Sequence, residues 1–566
     1  MLSLDSQIFS NNRKPETENR KRLVSLSSEW CLLLGLALMG LVIFGYRLGA
    51  PGLMDPDEGR YAEIAREILV LKDWLIPHLN LLPYLEKPPL VYWLTALSFG
   101  GLGETELAAR LPAAVSALAG LFLTYGLGRA FWGPGAGFLS AVVLATCLGY
   151  VALGRILTLD MTFSLFLNLA VGLGYLSLSR EGRGLWPWAY LALGLAVLTK
   201  GPVAVVLAGL IWLLWVLYRK LPLKSLVAPG GWLILGALSL PWFAWVGWRY
   251  PDFFRFFLWE HHLGRFLTPA IHPEPFYYYA PIILGLMLPW SFLLPWVLAC
   301  RGRLPEPNPH RPFLFLWAAA VLVFFSLSRG KLVPYILPAL LPLALLLGEG
   351  LAGLLGPGRR FLFADRGLKI SLLVWAVAGL GLAVVYFWPP APFARELVKL
   401  GNFSSFLIMM GLLVLALTPL AALWWRQAGV LFLGALLLSA LVPVGVETVS
   451  LRRSPRQIGQ AVKDQWQPGG ALVGVNLYSQ AVSFYSGQVF HLLDFRTELE
   501  FGRRLQPGSG RFFAAPEEMA AFAVSRPRTL FYLKVHDLPL LEQEFPGKLR
   551  LLARHKDCIL LGYEGK

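Results

Sequence analysis

Three acidic residues lie close together just after the first apolar stretch of the chain. They are Asp55, Asp57 and Glu58, in the run from Met54 to Tyr61. Carboxylates can act as general acids or bases, and they can orient a substrate that carries a cation. An Asp here could instead cap a helix that begins near residue 57, because its oxygens accept hydrogen bonds from free N–H groups. Three acids exceed what one cap needs, so a catalytic role for Asp57 and Glu58 stands beside capping.

Cations accompany these acids in the same loop. Arg60 lies within the acidic run, and Lys87 lies in the run from Tyr84 to Pro89. Two prolines follow Lys87 and hold its backbone extended. A lysine held in this way at a membrane surface can bind a phosphate as a point charge. The alternative is an ordinary lysine that extends its ammonium group to water.

Asp160 is an acid at the start of a later apolar stretch. It could be the N-cap of the helix that begins there. The predicted topology places it on the same side of the membrane as Asp57, so a second functional carboxylate is the other interpretation. Ionisable residues at membrane spans are costly and usually have a function.

A histidine pair, His261-His262, lies in a second loop on this side. Adjacent histidines point in different directions on a helix or strand, so they rarely bind one metal together. Either could join Glu86 of the first loop around a zinc-like ion. A hydrogen-bonded surface histidine is the more common alternative. Arg329 and Lys331 lie near Tyr335 on the outside, where such cations need an anionic partner, and a lipid phosphate is a natural candidate.

The composition requires these residues to be positioned by a membrane bundle. Of 566 residues, 56% are apolar and 15% are charged, and the mean hydropathy is +0.58. An average soluble domain is about half apolar and about a quarter charged. These values exclude a disordered chain and a single soluble domain. The four cysteines form no close pair, so the sequence predicts neither a zinc motif nor a disulfide framework.

The hydrophobic pattern predicts about 13 transmembrane helices between residues 29 and 447, after a cytoplasmic N-terminus at residues 1–28. Long outer loops are predicted at residues 49–106 and 250–278, the first with interfacial helices at Tyr61–Leu71 and Leu90–Phe99. Residues 448–566 read as a small soluble α/β domain on the outer side. Its expected elements are strands near Ala471–Val475 and Thr529–Val535, a helix at Pro516–Val524 and a hairpin at Leu549–Tyr563. The predicted spans are 29–48, 107–129, 133–152, 161–179, 186–200, 202–218, 231–249, 279–299, 312–328, 332–351, 369–388, 403–425 and 428–447.

The net charge of +16 follows from this topology. The predicted inner loops are rich in Lys and Arg, as is usual for the cytoplasmic side of a membrane protein. The basic balance therefore does not indicate a nucleic-acid partner. No P-loop and no dinucleotide-binding glycine pattern occurs in the required context, so energy from a cytoplasmic nucleotide is not indicated. Outward acids, outward cations and interfacial helices fit a sugar carried on a membrane lipid phosphate.

The motifs resemble the lipid-phosphate-dependent glycosyltransferases of the GT-C fold, a superfamily shared with protein mannosyltransferases. The rest of the sequence is similar to that of the branch whose members transfer aminoarabinose to lipid A. The resemblance spans nearly the whole chain. The matching stretches are Pro56 to Glu63, Asp73-Trp74, Pro77-His78, Tyr84 to Leu90, Tyr92-Trp93, Glu260-His261, Arg265-Phe266, Gly330-Lys331, Tyr335 to Pro338, Tyr478 to Gln480, Phe484-Tyr485 and Glu498 to Gly502.

The resemblance implies roles for individual residues. Asp57 matches an essential acid, with Glu58 beside it, and Asp160 a second functional acid. Lys87 matches a residue that holds the carrier-lipid phosphate. Glu86 and His261 fall where the family can hold a structural zinc, and no cofactor is expected for the chemistry itself. The residues expected around substrate and lipid phosphate are Lys87, Arg60, Tyr84, Arg265, Lys331 and Tyr335.

The predicted function is therefore transfer of a sugar, 4-amino-4-deoxy-L-arabinose by resemblance, from undecaprenyl phosphate to lipid A. The enzyme is expected to act as a monomer among the lipids of the bacterial inner membrane, facing the periplasm. The alternatives are transfer of another lipid-linked sugar, such as a hexose or uronic acid, to lipopolysaccharide or protein, and transport of a lipid-linked sugar without chemistry. Transporters place charged sites at the bilayer midplane, often between repeated halves, and this chain shows neither feature.

Overall fold

A computed structural model describes residues 13–179, 183–264, 266, 273–299, 310–355, 365–389, 402–495 and 498–565. Most of these residues form a bundle of apolar helices. Its core contains large aromatic side chains such as Trp290, Trp317 and Trp375, which are all fully buried. The helices of the bundle are α1 (Arg13–Gly45), α4 (Glu106–Trp132), α5 (Pro134–Ala145), α6 (Leu148–Leu153), α7 (Leu159–Ser179), α8 (Trp186–Lys200), α9 (Val203–Tyr218), α10 (Pro229–Arg249), α11 (Tyr279–Leu286), α12 (Leu294–Ala299), α13 (His310–Leu327), α14 (Leu340–Leu355), α15 (Arg366–Phe387), α16 (Asn402–Trp425) and α17 (Gly429–Arg453).

Each of the 13 predicted spans coincides with one helix or with two consecutive helices. In the described ranges, eight helices are long and apolar enough to cross a membrane, and a bent pair around residues 276–299 makes nine. The other four spans fall on α5 with α6, on α8, on α9 and on the apolar part of α1. The chain is a multi-pass membrane protein with a mixed C-terminal sheet, as the sequence predicted.

The first outer loop folds into short elements that the sequence foresaw in part. Helix α2 covers Asp57–Leu71 and helix α3 covers Leu90–Leu102, at the two predicted interfacial helices. Between them, strands β1 (His78–Leu79) and β2 (Leu82–Pro83) pair antiparallel. In the second outer loop, Arg255–Gly264 forms a π-helix.

The C-terminal domain contains strands β3 (Ala471–Val475), β4 (Phe490–Leu493), β5 (Phe512–Phe513), β6 (Arg528–Lys534), β7 (Arg550–His555) and β8 (Cys558–Glu564). They form a six-stranded sheet with the order β5-β4-β3-β6-β8-β7. Strands β3 to β6 pair parallel, and β6, β8 and β7 pair antiparallel, with Leu472 opposite both Phe490 and Leu530. The predicted strands, the helix at Pro516–Val524 and the hairpin are confirmed. The helices of the domain are α18 (Arg456–Gln465), α19 (Gln480–Ser486), α20 (Glu500–Leu505), α21 (Pro516–Val524) and α22 (Leu538–Glu544).

This domain packs directly on the first loop. Buried residues of both segments, among them Tyr61, Tyr84 and Tyr478, belong to one apolar core. The Asn80 side chain exchanges two hydrogen bonds with the backbone of Phe490 on β4, at 3.0 and 2.9 Å. Gly59 is required where α2 meets α19, because a Cβ there would collide with the backbone of Ala481. The loop and the domain therefore form one outer layer.

The last membrane helix is longer than expected. We predicted that the membrane part would end at residue 447, but α17 continues to Arg453. The extra turn is anchored to the first loop, since Ser450 Oγ donates to the carbonyl of Gly52 at 2.9 Å. The helix thus leads into the outer layer without a linker.

Candidate active site

Asp57 and Arg60 lie one turn apart at the start of α2. The Asp57 side chain is 60% exposed, and its Oδ1 is 3.6 Å from Arg60 Nη2. Arg60 is largely buried and reaches further, with Nη1 3.5 Å from the hydroxyl of Tyr84. An exposed carboxylate beside a held guanidinium can orient a polar substrate. The structure thus brings together three of the residues that the sequence predicted for the site.

Glu498 completes this group from the C-terminal domain. Its Oε2 is 2.9 Å from Arg60 Nε, and its other oxygen accepts a hydrogen bond from Gln480. Burial raises the pKa of the Glu498 carboxyl, and Arg60 opposes this rise while Glu86 and Asp55 add to it. Sequence reasoning gave Glu498 no role, because its partner lies more than 400 residues away. The only signal was its place in a stretch that resembles the family.

Asp160 forms a short ion pair with Lys200. The distance from Asp160 Oδ1 to Lys200 Nζ is 2.5 Å, and both side chains are nearly buried. The ammonium group also lies 4.2 Å from the ring centroid of Tyr335 and 5.2 Å from that of Phe163. Such cation–π contacts add to the attraction of the carboxylate. Asp160 and the two rings therefore hold the Lys200 ammonium group in a fixed position at the end of α8.

Lys200 was missed as a site residue. The signal was present, because a lysine between two apolar spans is an ionisable residue in the membrane and needs a partner. The predicted topology already placed Lys200 at the outer side, as it did Asp160. Only the helix packing, in which α7 lies against α8, showed that the two side chains meet.

Tyr61 connects the two acids of the cleft. Burial raises the pKa of its phenol, and Tyr92, Asp57 and Asp160 raise it further. The rings of Tyr61 and Tyr92 lie 5.7 Å apart. Both carboxylates are thus within electrostatic reach of one buried tyrosine. We use the name reaction cleft for Asp57, Arg60, Tyr61, Asp160 and Lys200.

Glu58 has contacts that do not fit the catalytic role predicted for it. Its side chain is 1% exposed, and it binds Arg110 of α4 through both oxygens at 2.7 and 2.8 Å. The backbone N–H groups of Met54 and Leu157 also donate to it, at 3.1 and 2.9 Å. A carboxylate with four donors around it is held in place and is closed to substrate. Glu58 is therefore a structural residue that fixes the start of α2.

Lys87 and Tyr335 lie on segments that adjoin the reaction cleft. Lys87 is half-buried and immediately precedes Pro88 and Pro89, where α3 begins. Tyr335 contacts the Lys200 ammonium group, as described above. Their predicted role in binding the lipid phosphate stays a prediction, and so does that of Tyr84.

Lys331 and Arg265 were also predicted to bind the lipid phosphate. The Lys331 ammonium group donates to the backbone carbonyls of Glu274 and Ser328, at 2.8 and 2.5 Å. Since Lys331 is 3% exposed, it ties two outer segments together and does not face a lipid phosphate as expected. Arg265 lies outside the described residues.

Glu86 and His261 approach each other as the zinc prediction requires. His261 Nδ1 lies 3.8 Å from Glu86 Oε2, and both side chains are nearly buried. Structural zinc sites use four protein ligands. Within the part of the chain that the structure describes, no third His, Cys, Asp or Glu joins the pair to make a metal-binding group. These two ligands do not complete such a site by themselves, and a structural zinc here stays a prediction.

Comparison with known proteins places this geometry in a family context. The family described as Dolichyl-phosphate-mannose-protein mannosyltransferase matches residues 86–248. The undecaprenyl phosphate-α-4-amino-4-deoxy-L-arabinose arabinosyl transferase 1 of Pseudomonas fluorescens is 36% identical over 432 residues, which cover 74% of this chain and 77% of the relative. A transferase of the same description from Erwinia tasmaniensis is 31% identical, covering 81% of this chain and 85% of the relative.

The fold is also shared with a solved structure. The crystal structure of ArnT from Cupriavidus metallidurans bound to undecaprenyl phosphate superimposes with a TM-score of 0.80 and 25% identity. The match covers 94% of this chain and 97% of that protein. The likeness thus extends over both the membrane bundle and the C-terminal domain.

Proposed function

The chain belongs to the family of undecaprenyl phosphate-α-4-amino-4-deoxy-L-arabinose arabinosyl transferases, and from this premise we propose that it moves aminoarabinose from undecaprenyl phosphate to a phosphate of lipid A. It is a multi-pass membrane glycosyltransferase. We place the reaction at the periplasmic face of the bacterial inner membrane. The excess of Lys and Arg in the loops opposite the reaction cleft supports this orientation.

The leaving group of this reaction is the phosphate of the carrier lipid. We assign its binding to Lys87, and the resemblance adds Tyr84 and Arg265 as further ligands. A cation placed where negative charge develops in the transition state lowers the barrier, because its charge needs no reorganisation during the reaction. The stiff backbone after Lys87 supports this assignment, since two prolines fix where the side chain starts.

Asp57 orients the donor sugar in this proposal. A lipid A phosphate is already ionised near neutral pH, because a phosphate ester has a second pKa of about 6. Such an acceptor needs no strong base. Asp57 therefore binds the amino group of the sugar or stabilises positive charge at the anomeric carbon as the bond to phosphate breaks. For a hydroxyl acceptor, the same carboxylate would be the general base.

The observation that carries the proposal is the exposed Asp57 carboxylate next to the buried Arg60, which Glu498 of the C-terminal domain also holds. These polar side chains lie beside the apolar bundle, and we place the lipid-linked sugar there. The pair Asp160–Lys200 adds a second group of charged side chains held in position. A structural zinc at Glu86 and His261 stays a prediction.

Reconstitution tests the proposal. Purified protein is given undecaprenyl phosphate-aminoarabinose and lipid A, and mass spectrometry follows both lipids. We expect released undecaprenyl phosphate and lipid A that carries aminoarabinose. If this pair gives no product but another lipid-linked sugar does, the donor assignment is wrong. If labelled donor only crosses the bilayer unchanged, the chain is a transporter.

A further inference from the structure

A second cleft opens between the last membrane helix and the C-terminal sheet. It has a volume of about 530 Å³, within the range of about 300–1,000 Å³ that is usual for ligand sites. The end of α17 forms one wall, the segment before α2 a second, and the ends of β6 and β7 with the start of β8 a third. Its lining includes Arg60, Arg452, Arg453, Lys534, Lys556 and Asp557.

The wall of this cleft is rich in positive charge. Five lining residues are cations and three are acids. Two of the acids are already engaged, since Asp55 accepts hydrogen bonds from Ser479 and Ala481, and Glu498 binds Arg60. The remaining acid is Asp557. The cations other than Arg60 form no ion pair with any described residue, and they are Arg452, Arg453, Lys534 and Lys556.

These cations lie on the outer side of the membrane. Arg452 and Arg453 occupy the last turn of α17, and the carbonyl of Arg453 accepts a hydrogen bond from Asp55 of the first loop at 3.3 Å. Basic residues at span ends are concentrated on the cytoplasmic side in most membrane proteins. Two adjacent arginines at the opposite end therefore indicate an anionic partner there.

The framework of the cleft is held by contacts between its walls. His555 at the end of β7 is 3.1 Å from the carbonyl of Arg452. Asp55 joins the segment before α2 to the start of α19. A cleft whose walls are connected in this way can keep its cations in place before a ligand arrives, which lowers the entropy cost of binding.

Arg60 belongs to this cleft and also to the reaction cleft. Arg60 lines the cationic cleft, and its Nη2 lies 3.6 Å from Asp57. Pro56, the residue before Asp57, also belongs to the lining. A ligand held by Arg452 and Lys556 would thus extend toward the carboxylate that we assign to the donor sugar.

We propose that this cationic cleft binds the phosphorylated sugar head group of the acceptor lipid. The inference rests on the proposed function and adds the place where the acceptor docks. Arginine is suited to phosphate because its planar group donates two parallel hydrogen bonds, and lysine adds a point charge. The acyl chains of such an acceptor would remain in the bilayer beside the outer end of α17.

Binding without turnover tests the cleft independently of the reaction. Affinity for lipid A and for its dephosphorylated form is measured with protein in detergent and no donor, for the wild type and for Arg452→Gln/Lys556→Gln. We expect the wild type to prefer the phosphorylated lipid and the variant to lose about 10-fold in affinity for it. The matched control, Lys463→Gln/Lys548→Gln, removes two exposed lysines outside the cleft and should bind as the wild type does.

Kinetics with the active protein provide the second measurement. The cleft variant should show a KM for lipid A raised about 10-fold, with kcat and the KM for the donor little changed. Equal affinity of wild type and cleft variant for phosphorylated lipid A would overturn the inference. Reduced binding to phosphatidylglycerol vesicles with unchanged lipid A binding would also overturn it, in favour of a bilayer phospholipid. If the wild type binds lipid A in the cleft but transfers no aminoarabinose to it, the proposed function fails and the anion site stands.

Discussion

Asp57 and Glu58 are adjacent in the chain, but their side chains occupy opposite environments. Asp57 is 60% exposed and has one loose ion pair, at 3.6 Å. Glu58 is 1% exposed and receives four hydrogen bonds from Arg110 and the backbone. Two adjacent acids of one motif thus have different roles. The Asp57 carboxylate is available to a substrate, and the Glu58 carboxylate holds the loop in place.

The same contrast separates two ion pairs of the bundle. The Arg110 guanidinium of the first also donates to the carbonyls of Leu48, Pro51 and Gly52, so it joins α4 to the loop. The Lys200 ammonium of the second lies against aromatic rings beside Asp160. The Glu58–Arg110 pair holds the backbone of the first loop against α4. The Asp160–Lys200 pair places its charged groups in the reaction cleft.

The largest expected effect is on activity at Asp57. Asp57→Asn should lower transfer by at least about 1,000-fold, because the amide cannot orient a cationic sugar or stabilise positive charge. The exposed side chain makes few contacts, so the yield of folded protein should not change. Turnover by mass spectrometry and gel filtration of the purified protein check the two statements. Asp73→Asn in the same loop is the control and should stay active, since its Oδ1 still accepts from Leu75 and Ile76. A fully active Asp57→Asn enzyme would show that the role assigned to Asp57 is wrong.

Removing the partner of Glu58 should unfold the loop. Arg110→Met leaves a buried carboxylate without its cation, which costs about 3–5 kcal/mol of stability. Thermal unfolding in detergent measures the loss, and we expect a lower Tm or no folded protein. Arg129→Met, which breaks the exposed pair with Glu29, is the control and should have little effect. If Arg110→Met folds as the wild type does, the structural role of Glu58 is wrong.

The pair Asp160–Lys200 should behave as Asp57 does, with a smaller effect. Lys200→Gln and Asp160→Asn should each reduce kcat by about 100-fold while the protein stays folded, because a fixed charge near the donor is lost. The double variant should be hardly worse than either single variant, since the two groups act as a unit. Lys224→Gln, in the segment between α9 and α10, is the control. A drop in Tm that parallels the loss of kcat would instead show that this pair has a structural role, as Glu58–Arg110 has.

Asp55 gives the smallest effect and tests a third environment. Burial raises the pKa of this carboxyl to about 6, while hydrogen bonds from Ser479 and Ala481 oppose the rise. The folded state therefore binds the proton more tightly than the unfolded state does, and stability falls as the pH rises from about 4 through about 6. From pH 7 to pH 5 the protein should gain about 1 kcal/mol at this site. Tm measured across this range should rise toward pH 5, and Asp55→Asn should flatten the slope. An unchanged slope in that variant would assign the effect to another group.

Much of the architecture could be predicted because membrane spans are determined locally. The bilayer requires about 20 apolar residues per helix, so hydropathy alone locates the spans. The strands Ala471–Val475 and Arg528–Lys534 were foreseen for a similar reason, since a buried strand is a short apolar run between turns. The end of α17 was not, because a helix can continue beyond the apolar core when its last turn is anchored to other segments.

The candidate site, too, could be predicted only in part from the sequence. The sequence by itself determined that acids and cations gather on the outer side, at Asp57, Arg60, Lys87 and Asp160, because charge is costly in the bilayer and must lie at its edge. Only the tertiary structure decided which of them are free to react. Whether a carboxylate is exposed, as Asp57 is, or closed by donors, as Glu58 is, depends on side chains brought from distant helices, and no local pattern contains that information.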